Sequence, residues 1–162
     1  MLFRSRLEIS VDDQGNSGTG GALTTYATRD ITVVAVPGII RGFVFDDTND
    51  DGFSTGEPGL AGVTVRLLNT AGTVIETTVS DDNGIYQFNS VLSDPYQLEF
   101  EAPLGRHFAS RDALDSNGNP QDRIDSDAHP LTGRSQFINL DAGQTVLGVD
   151  AGLVITTVSI SQ

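Results

Sequence analysis

Short runs in which apolar and polar residues alternate are the feature that most limits what this chain can fold into. Helical periodicity is hard to find, whereas alternation with a period of two recurs between turn signals rich in Gly, Asp and Asn. Strand-like runs lie at residues 7–11, 31–36, 39–45, 63–67, 73–79, 86–88, 96–100, 137–140 and 146–153, and the run at 39–45 is apolar enough to be a strand buried on both faces. This pattern predicts an all-β chain with short strands and tight turns.

The runs divide the chain into three parts. Residues 1–37 contain about two strands, which are too few to close a core by themselves. Residues 38–154 contain seven short strands with regularly spaced turns, which predicts an antiparallel seven-stranded β-sandwich with long acidic loops. Residues 155–162 form a tail or the start of the next linker. The start within a strand-like run indicates a fragment of a longer polypeptide.

The charge of the chain excludes several partners. There are 22 acidic residues against 9 basic ones, for a net charge of −13. Such a field repels nucleic-acid phosphates and anionic lipids, so neither is an expected partner. No stretch reaches the roughly 20 apolar residues of a membrane span, so we expect no membrane insertion.

The kinds of residue are also informative. The acids are 17 Asp and 5 Glu, and Asp in loops is a hard oxygen donor for a hard cation. The chain contains no Cys, so neither disulfides nor thiolate metal sites can form. It also contains no Lys. A module with long loops and no disulfides needs another way to hold those loops. Bound Ca²⁺ is the predicted cofactor.

The acidic segment after residue 45 contains the first half of an EF-hand-type calcium loop. Asp47, Asn49 and Asp51 alternate with other residues, and Gly52 follows at the sixth position, which needs a sharp turn. Phe53, at the seventh position, would contribute its carbonyl oxygen. The pattern predicts a first calcium site at these residues. The alternative is an ion-free Asp/Asn/Gly turn, for which the same residues are well suited.

The second half of this loop departs from the expected spacing. Position 12, where a bidentate acid belongs, holds Pro58, and Glu57 falls one residue early. Either Glu57 completes the first site with altered geometry, or the site is weaker and holds more water.

A second acidic cluster lies in the long polar stretch 104–133. A structureless loop of that length is unusual in a compact domain unless function or a ligand orders it. We therefore predict a second calcium site, with ligands drawn from Asp112, Asp115, Asp125 and Asp127.

Residues 38–154 resemble the B-type repeat domain of serine-aspartate-repeat (Sdr) adhesins, which is related to the collagen-adhesin B (Cna-B) domains. The resemblance is carried by GFVFDDTNDDG at 42–52, GEPGLAGVTV at 56–65, SDDNGIYQF at 80–88, DSD at 125–127 and VDAGL at 149–153. Phe45 departs from the family, which often has Trp at this position. Residues 7–36 resemble the closing strands of a cadherin-like bacterial repeat, which implies that residues 1–37 are the C-terminal remnant of a preceding repeat.

The Sdr resemblance implies a prealbumin-like sandwich, calcium bound in loops and tandem modules on a bacterial surface or in a secreted protein. It implies no catalysis. Related B domains often carry a Lys–Asn isopeptide bond, which a chain without Lys cannot form. The expected partners are neighbouring modules of the same polypeptide, together with a host or matrix protein or glycan.

Enzyme motifs are missing from the sequence. His107 and His129 stand in the long polar stretch without an H-E-x-x-H pattern, and no G-x-S-x-G is present. The clustered Asp residues lie in turns, where solvation or metal binding is expected in place of acid–base catalysis. We predict a structural module that is not an enzyme. The alternative is a carbohydrate- or protein-binding module attached to a secreted enzyme.

Overall fold

The computed structural model describes residues 2–12, 24–113 and 123–157, and all regular elements in this part of the chain are strands. The chain forms two compact units, Met1–Ala35 and Val36–Gln162. With no helix among the described residues, none of them forms a membrane-spanning helix.

The first unit is a long hairpin. Strand β1 (Leu2–Asp12) pairs antiparallel with β2 (Thr24–Val34) without a break in register. These are the two strands that the described residues of this unit form. Their interpretation as the end of a cadherin-like repeat stays a prediction.

The second unit is a β-sandwich of two sheets. Its strands are β3 (Gly38–Asp46), β4 (Thr64–Asn69), β5 (Val74–Val79), β6 (Ile85–Val91), β7 (Asp94–Phe100), β8 (Arg106–Phe108), β9 (Ile138–Leu140), β10 (Thr145–Leu147) and β11 (Ala151–Ile155). One sheet has the order β5-β4-β7-β9. In the other, β3 pairs with β6, β10 and β11, and β11 pairs with β8. The predicted all-β sandwich is therefore confirmed.

The strand count and the direction of two strand pairings differ from the prediction. The described part of the second unit has nine strands in place of seven, and β3 runs parallel to both β10 and β11. The run predicted as one strand at 146–153 is divided, because Gly148 has a φ of +74° between β10 and β11. Strand β8 lies within the stretch 104–133, which was expected to lack regular structure.

The core lies between the two sheets and follows the alternation seen in the sequence. In β3, Ile40 and Val44 are fully buried, whereas Arg41 between them is exposed. The buried cluster also includes Val65, Leu67, Tyr86, Phe88, Leu98, Phe100, Leu140 and Leu153. Phe45, which replaces the common Trp, lies outside this cluster and is completely buried with its ring stacked on Phe43. Burial of these aromatic and aliphatic side chains is the main stabilising contribution to the sandwich.

Candidate metal centre

The first predicted site begins where β3 ends, and its first carboxylate is turned into the protein. Asp47 is 1% exposed. Its Oδ2 accepts a hydrogen bond from the Gly52 amide at 2.9 Å, and its Oδ1 accepts one from the Asp51 amide at 3.2 Å. Burial raises the pKa of Asp47, against the lowering effect of these amide donors. The carboxylate thus holds the loop closed from inside.

The next two predicted ligands stabilise the same turn from its exposed side. The Asn49 Oδ1 accepts a hydrogen bond from the Asp51 amide at 3.1 Å. The Asp51 Oδ1 accepts one from the Phe53 amide at 2.9 Å. These are Asx turns, so the turn chemistry expected without an ion is present in this loop. Gly52 has a φ of +80°, as the sharp turn at the sixth position requires.

Glu57 folds back on the start of the loop despite its early position in the sequence. Its Oε2 accepts hydrogen bonds from the Thr48 amide at 3.2 Å and from the Thr48 hydroxyl at 2.7 Å. The carboxylate therefore lies beside the residue that follows Asp47. Although Glu57 comes one residue earlier than the acid of a standard EF-hand loop, its side chain still contacts this loop.

The neighbouring Asp46 has a different role. Its carboxylate is bound by both terminal nitrogens of Arg106 on β8, with Nη2 to Oδ2 at 3.0 Å. Hydrogen bonding to Arg106 lowers the pKa of Asp46. The same guanidinium donates to the Leu153 carbonyl at 3.2 Å, so it joins β3, β8 and β11. Asp46 is thus committed to an ion pair.

The second predicted site lies directly against the first loop, which sequence separation did not indicate. The Ser54 amide donates to the Ile124 carbonyl at 2.6 Å, and the Ser126 amide donates to the Gly52 carbonyl at 3.0 Å. Between them, Phe53 and Asp125 form an isolated antiparallel bridge. Asp125 is 2% exposed. Two acidic loops that are about 70 residues apart in sequence are therefore joined by backbone pairing.

Asp127 is linked to an acid that was not predicted as a site residue. Its Oδ2 accepts a hydrogen bond from the Asp150 amide at 2.7 Å, and its own amide donates to the Asp150 carbonyl at 2.8 Å. The Asp150 Oδ1 accepts a hydrogen bond from the Phe43 amide at 2.8 Å. Asp150 lies in the VDAGL run, but the run was interpreted as strand, so alternation gave no signal for this carboxylate.

Burial and mutual repulsion act on both of these carboxyls. Burial raises the pKa of Asp127 to about 7, with added repulsion from Asp125, Asp150 and Asp112. Burial raises the pKa of Asp150 to about 7 as well, with added repulsion from Asp125. This end of the sandwich therefore concentrates acidic side chains in a setting that disfavours their charge.

The remaining predicted ligands are less closely involved. Asp112 is exposed, pairs with Arg111 at 3.1 Å and accepts a hydrogen bond from the Gln136 amide group at 3.3 Å. Its backbone amide donates to the Ser126 carbonyl at 2.9 Å, which keeps it near the second loop. Asp115 lies outside the described residues. His107 is exposed on β8, and the His129 Nδ1 accepts a hydrogen bond from the Leu131 amide at 3.2 Å.

The donor set fits calcium in kind. Asp47, Asn49, Asp51 and Glu57 offer carboxylate and amide oxygens, which are the ligands that calcium prefers. In this structure the same oxygens accept hydrogen bonds from the protein. Among the described residues, no three acidic or histidine side chains converge as a group that could hold a metal ion. Binding would therefore require rearrangement of these side chains, and both calcium sites stay predictions.

The architecture defines an immunoglobulin-like β-sandwich module, and solved structures share this fold. The minor pilin of Streptococcus agalactiae matches 91% of this chain and 65% of its own, with a TM-score of 0.53 and 12% identity. The major pilin subunit of Bacillus cereus matches 93% of this chain and 39% of its own, with a TM-score of 0.50 and 16% identity. At these identities the likeness concerns the fold alone.

The chain belongs to the SdrD B-like domain family, whose model matches residues 38–153. Serine-aspartate repeat-containing protein D of Staphylococcus aureus is 40% identical over 82 residues, covering 47% of this chain. Serine-aspartate repeat-containing protein F of Staphylococcus epidermidis is 39% identical over 103 residues, covering 60% of this chain. The chain spans about 6% of the length of either relative. The predicted family is therefore confirmed.

Proposed function

We propose that residues 38–154 are a calcium-stabilised spacer module of a bacterial surface or secreted adhesin. The observation that carries this proposal is the pairing of Gly52–Ser54 with Ile124–Ser126, which brings two acidic loops together at one end of the sandwich. Membership of the SdrD B-like domain family supports a structural role, and none of the relatives described above is named as an enzyme.

Electrostatics give a reason for an ion at this end. Asp47, Asp125 and Asp150 are each less than 5% exposed, and burial of a carboxylate disfavours its charged form. A divalent cation, when bound, supplies positive charge that offsets this repulsion and desolvation. The chain has no Cys and no Lys to form a covalent cross-link in its place.

The first loop would hold calcium through Asp47, Asn49, Asp51, the Phe53 carbonyl and Glu57. Gly52 permits the turn, and Glu57 already lies against the start of the loop. The second loop would contribute Asp112, Asp115, Asp125 and Asp127. Because the loops share backbone hydrogen bonds, order in the first loop favours order in the second.

The module would be exported and would work beside other modules of the same polypeptide. Extracellular calcium modules bind with dissociation constants of about 0.1–1 mM, so such sites fill outside the cell and stay empty in the cytosol. A host or matrix protein or glycan is the further partner that we propose for the whole adhesin. In this role the sandwich sets spacing and does not catalyse a reaction.

Calcium titration of the full chain by isothermal calorimetry tests this function, with thermal unfolding measured in parallel. We expect saturable heat at millimolar calcium and a melting temperature that rises with calcium and falls again after chelation. Absence of binding heat, together with the same melting temperature in calcium and in chelator, would refute the proposal. Magnesium at equal concentration controls for ionic strength.

A further inference from the structure

A shallow groove lies on the outer face of the five-stranded sheet, away from the core. It has a volume of about 260 Å³ and is lined by Arg41, Phe43, Ile85, Arg123, Leu147 and Asp150, together with two glycines. Arg41 and Phe43 alternate with the core residues of β3, which places them on this outer face.

The strand register explains why apolar side chains meet at this place. Phe43 lies opposite Ile85 on β6, and Arg41 lies opposite Leu147 on β10. Phe43 and Ile85 are half-buried, and Leu147 is 62% exposed. The groove therefore offers an apolar floor that no described side chain covers completely.

The two arginines differ from the other four in this unit. Those four pair with acids: Arg66 with Glu99 and Glu101, Arg106 with Asp46, Arg111 with Asp112, and Arg134 with Glu99. Arg41 and Arg123 are exposed and form no ion pair with any described residue. In a chain with 22 acids and 9 bases, both guanidinium groups line the same groove.

The charge in the groove is positive on balance. Asp150 also lines it, but this carboxylate is 4% exposed and accepts a hydrogen bond from the Phe43 amide at 2.8 Å. Two exposed guanidinium groups thus face solvent beside one buried carboxyl. A guanidinium group binds a carboxylate through paired hydrogen bonds, and an apolar floor between two such groups favours an apolar side chain.

We propose that this groove binds an acidic polypeptide segment in which an apolar side chain is flanked by carboxylates. The apolar side chain would lie over Phe43, Ile85 and Leu147, and the carboxylates would pair with Arg41 and Arg123. Charges farther away than about 8 Å are largely screened at physiological salt, so the side chains that line the groove, two guanidinium groups and one buried carboxyl, contribute most to the attraction. A second copy of the chain is disfavoured as the occupant, because each copy carries a net charge of −13.

Fluorescence anisotropy with the full chain and a short labelled peptide of alternating Glu and Leu tests this proposal. We expect saturable binding in the micromolar to millimolar range. Joint replacement Arg41→Gln and Arg123→Gln should weaken it by about tenfold or more, because each carboxylate loses a charge-assisted hydrogen-bond donor. The matched control Arg111→Gln removes a guanidinium group that does not line the groove and should leave binding unchanged.

Two further peptides separate the contribution of the carboxylates to binding from that of the apolar side chains. Replacing Glu by Lys should abolish binding, and replacing Leu by Ser should weaken it clearly. Backbone chemical-shift changes at Phe43, Ile85 and Leu147 in the unmutated protein locate the site independently of any effect of substitution on folding. Equal binding of the Ser peptide, no saturable binding at millimolar peptide, or shift changes elsewhere would each overturn the proposal. A dimer in sedimentation that the double variant loses would assign the groove to a second copy and overturn it as well.

Discussion

Asp127 and Asp150 are joined by two reciprocal contacts: the Asp150 amide donates to the Asp127 carboxylate at 2.7 Å, and the Asp127 amide donates to the Asp150 carbonyl at 2.8 Å. The link connects the second acidic loop to the segment immediately before β11. It also keeps two carboxyls together in a setting where burial disfavours charge on both.

The first prediction is that the calcium-free chain loses stability as pH rises through the weakly acidic range. Both carboxyls have a pKa of about 7 in the folded chain against an ordinary value of 3.8, so the folded state binds more protons between these values. The free energy of unfolding contributed by the pair should therefore fall from about pH 4 to about pH 7 and then level off. Urea unfolding in chelator across this range measures it.

Asp150→Asn is the variant for this test, because the amide oxygen can still accept the Phe43 hydrogen bond. It should flatten the decline between pH 4 and 7, since one titrating group is gone. Asp46 acts in the opposite sense, because Arg106 lowers its pKa and its contribution is lost only as pH falls below the ordinary value. An unchanged slope in Asp150→Asn would contradict the assignment to this pair.

The second prediction concerns the first calcium loop. Calcium at about 10 mM should stabilise the unmutated chain by about 1.5–3 kcal/mol if its dissociation constant is that of an extracellular module. Asp47→Asn should remove most of this gain, because it loses the charge, and its single amide oxygen can accept from only one of the Gly52 and Asp51 amides. Melting temperature with and without calcium is the measurement.

Asp81→Asn is the matched control for this loop. The Asp81 Oδ1 accepts amide hydrogen bonds from Asn83 and Ile85 at 2.9 Å, so this carboxylate also holds a turn through two backbone amides, in a turn that lies outside both predicted sites. It should leave the calcium-dependent rise intact. If the two variants lose equal shares of the rise, the choice of Asp47 as a principal ligand is wrong.

The third prediction concerns the ion pair between Arg106 and Asp46. The two side chains are 17% and 21% exposed, so screening by solvent is only partial. Arg106→Gln should lower the free energy of unfolding by about 1–3 kcal/mol, because a charged group loses its hydrogen-bonded partner and the Leu153 carbonyl loses a donor. Chemical denaturation measures the loss.

Arg66→Gln provides the comparison for this ion pair. Arg66 pairs with Glu99 and Glu101, but Glu101 is 56% exposed, and surface pairs contribute less than about 1 kcal/mol. A double-mutant cycle of Arg106→Gln with Asp46→Asn isolates the pair itself. A coupling free energy near zero would show that the contact between Arg106 and Asp46 does not itself stabilise the junction of β3, β8 and β11.

The fourth prediction concerns the turn at Gly52, which joins the two acidic loops. A Cβ at this position would stand 2.9 Å from the Ala113 Cβ and 3.0 Å from the Ser110 carbonyl oxygen, and the backbone φ is +80°. Gly52→Ala should therefore cost more than the roughly 1–2 kcal/mol of a left-handed residue alone. Gly56 has a φ of +84° with open space around it, so Gly56→Ala measures the backbone part. Equal losses of unfolding free energy in the two variants would exclude crowding.

The sandwich and its family could be predicted from sequence because local signals agree there. Alternation at Val65 and Leu67 matches their burial, and the block at residues 42–65 identifies the family. Glycine conformation is harder to predict, so the division of the last predicted strand at Gly148 was missed. A three-residue strand such as β8 is too short to show a period.

The contact between the acidic loops could not be predicted from spacing. The pairing of Gly52 with Ser126 depends on the path of the chain through both sheets, and no local pattern encodes it. Asp150 was missed for a related reason, since its run was interpreted as one strand and no local pattern shows that its backbone meets Asp127. The kind of donor follows from the sequence and stays a prediction, whereas the distances between donors depend on the fold and have no signal in the sequence.

Parallel pairing of β3 with β10 and β11 determines how the module responds to a pulling force. When the start of β3 and the end of β11 are pulled in opposite directions, neighbouring strands slide along each other and their hydrogen bonds share the force. In an antiparallel terminal pair, the hydrogen bonds would instead break one after another. The contacts of Ile39 with Thr145 and of Val44 with Ala151 thus lie along the line of tension. In a chain of such modules, each module would resist extension through the hydrogen bonds between its own first and last strands.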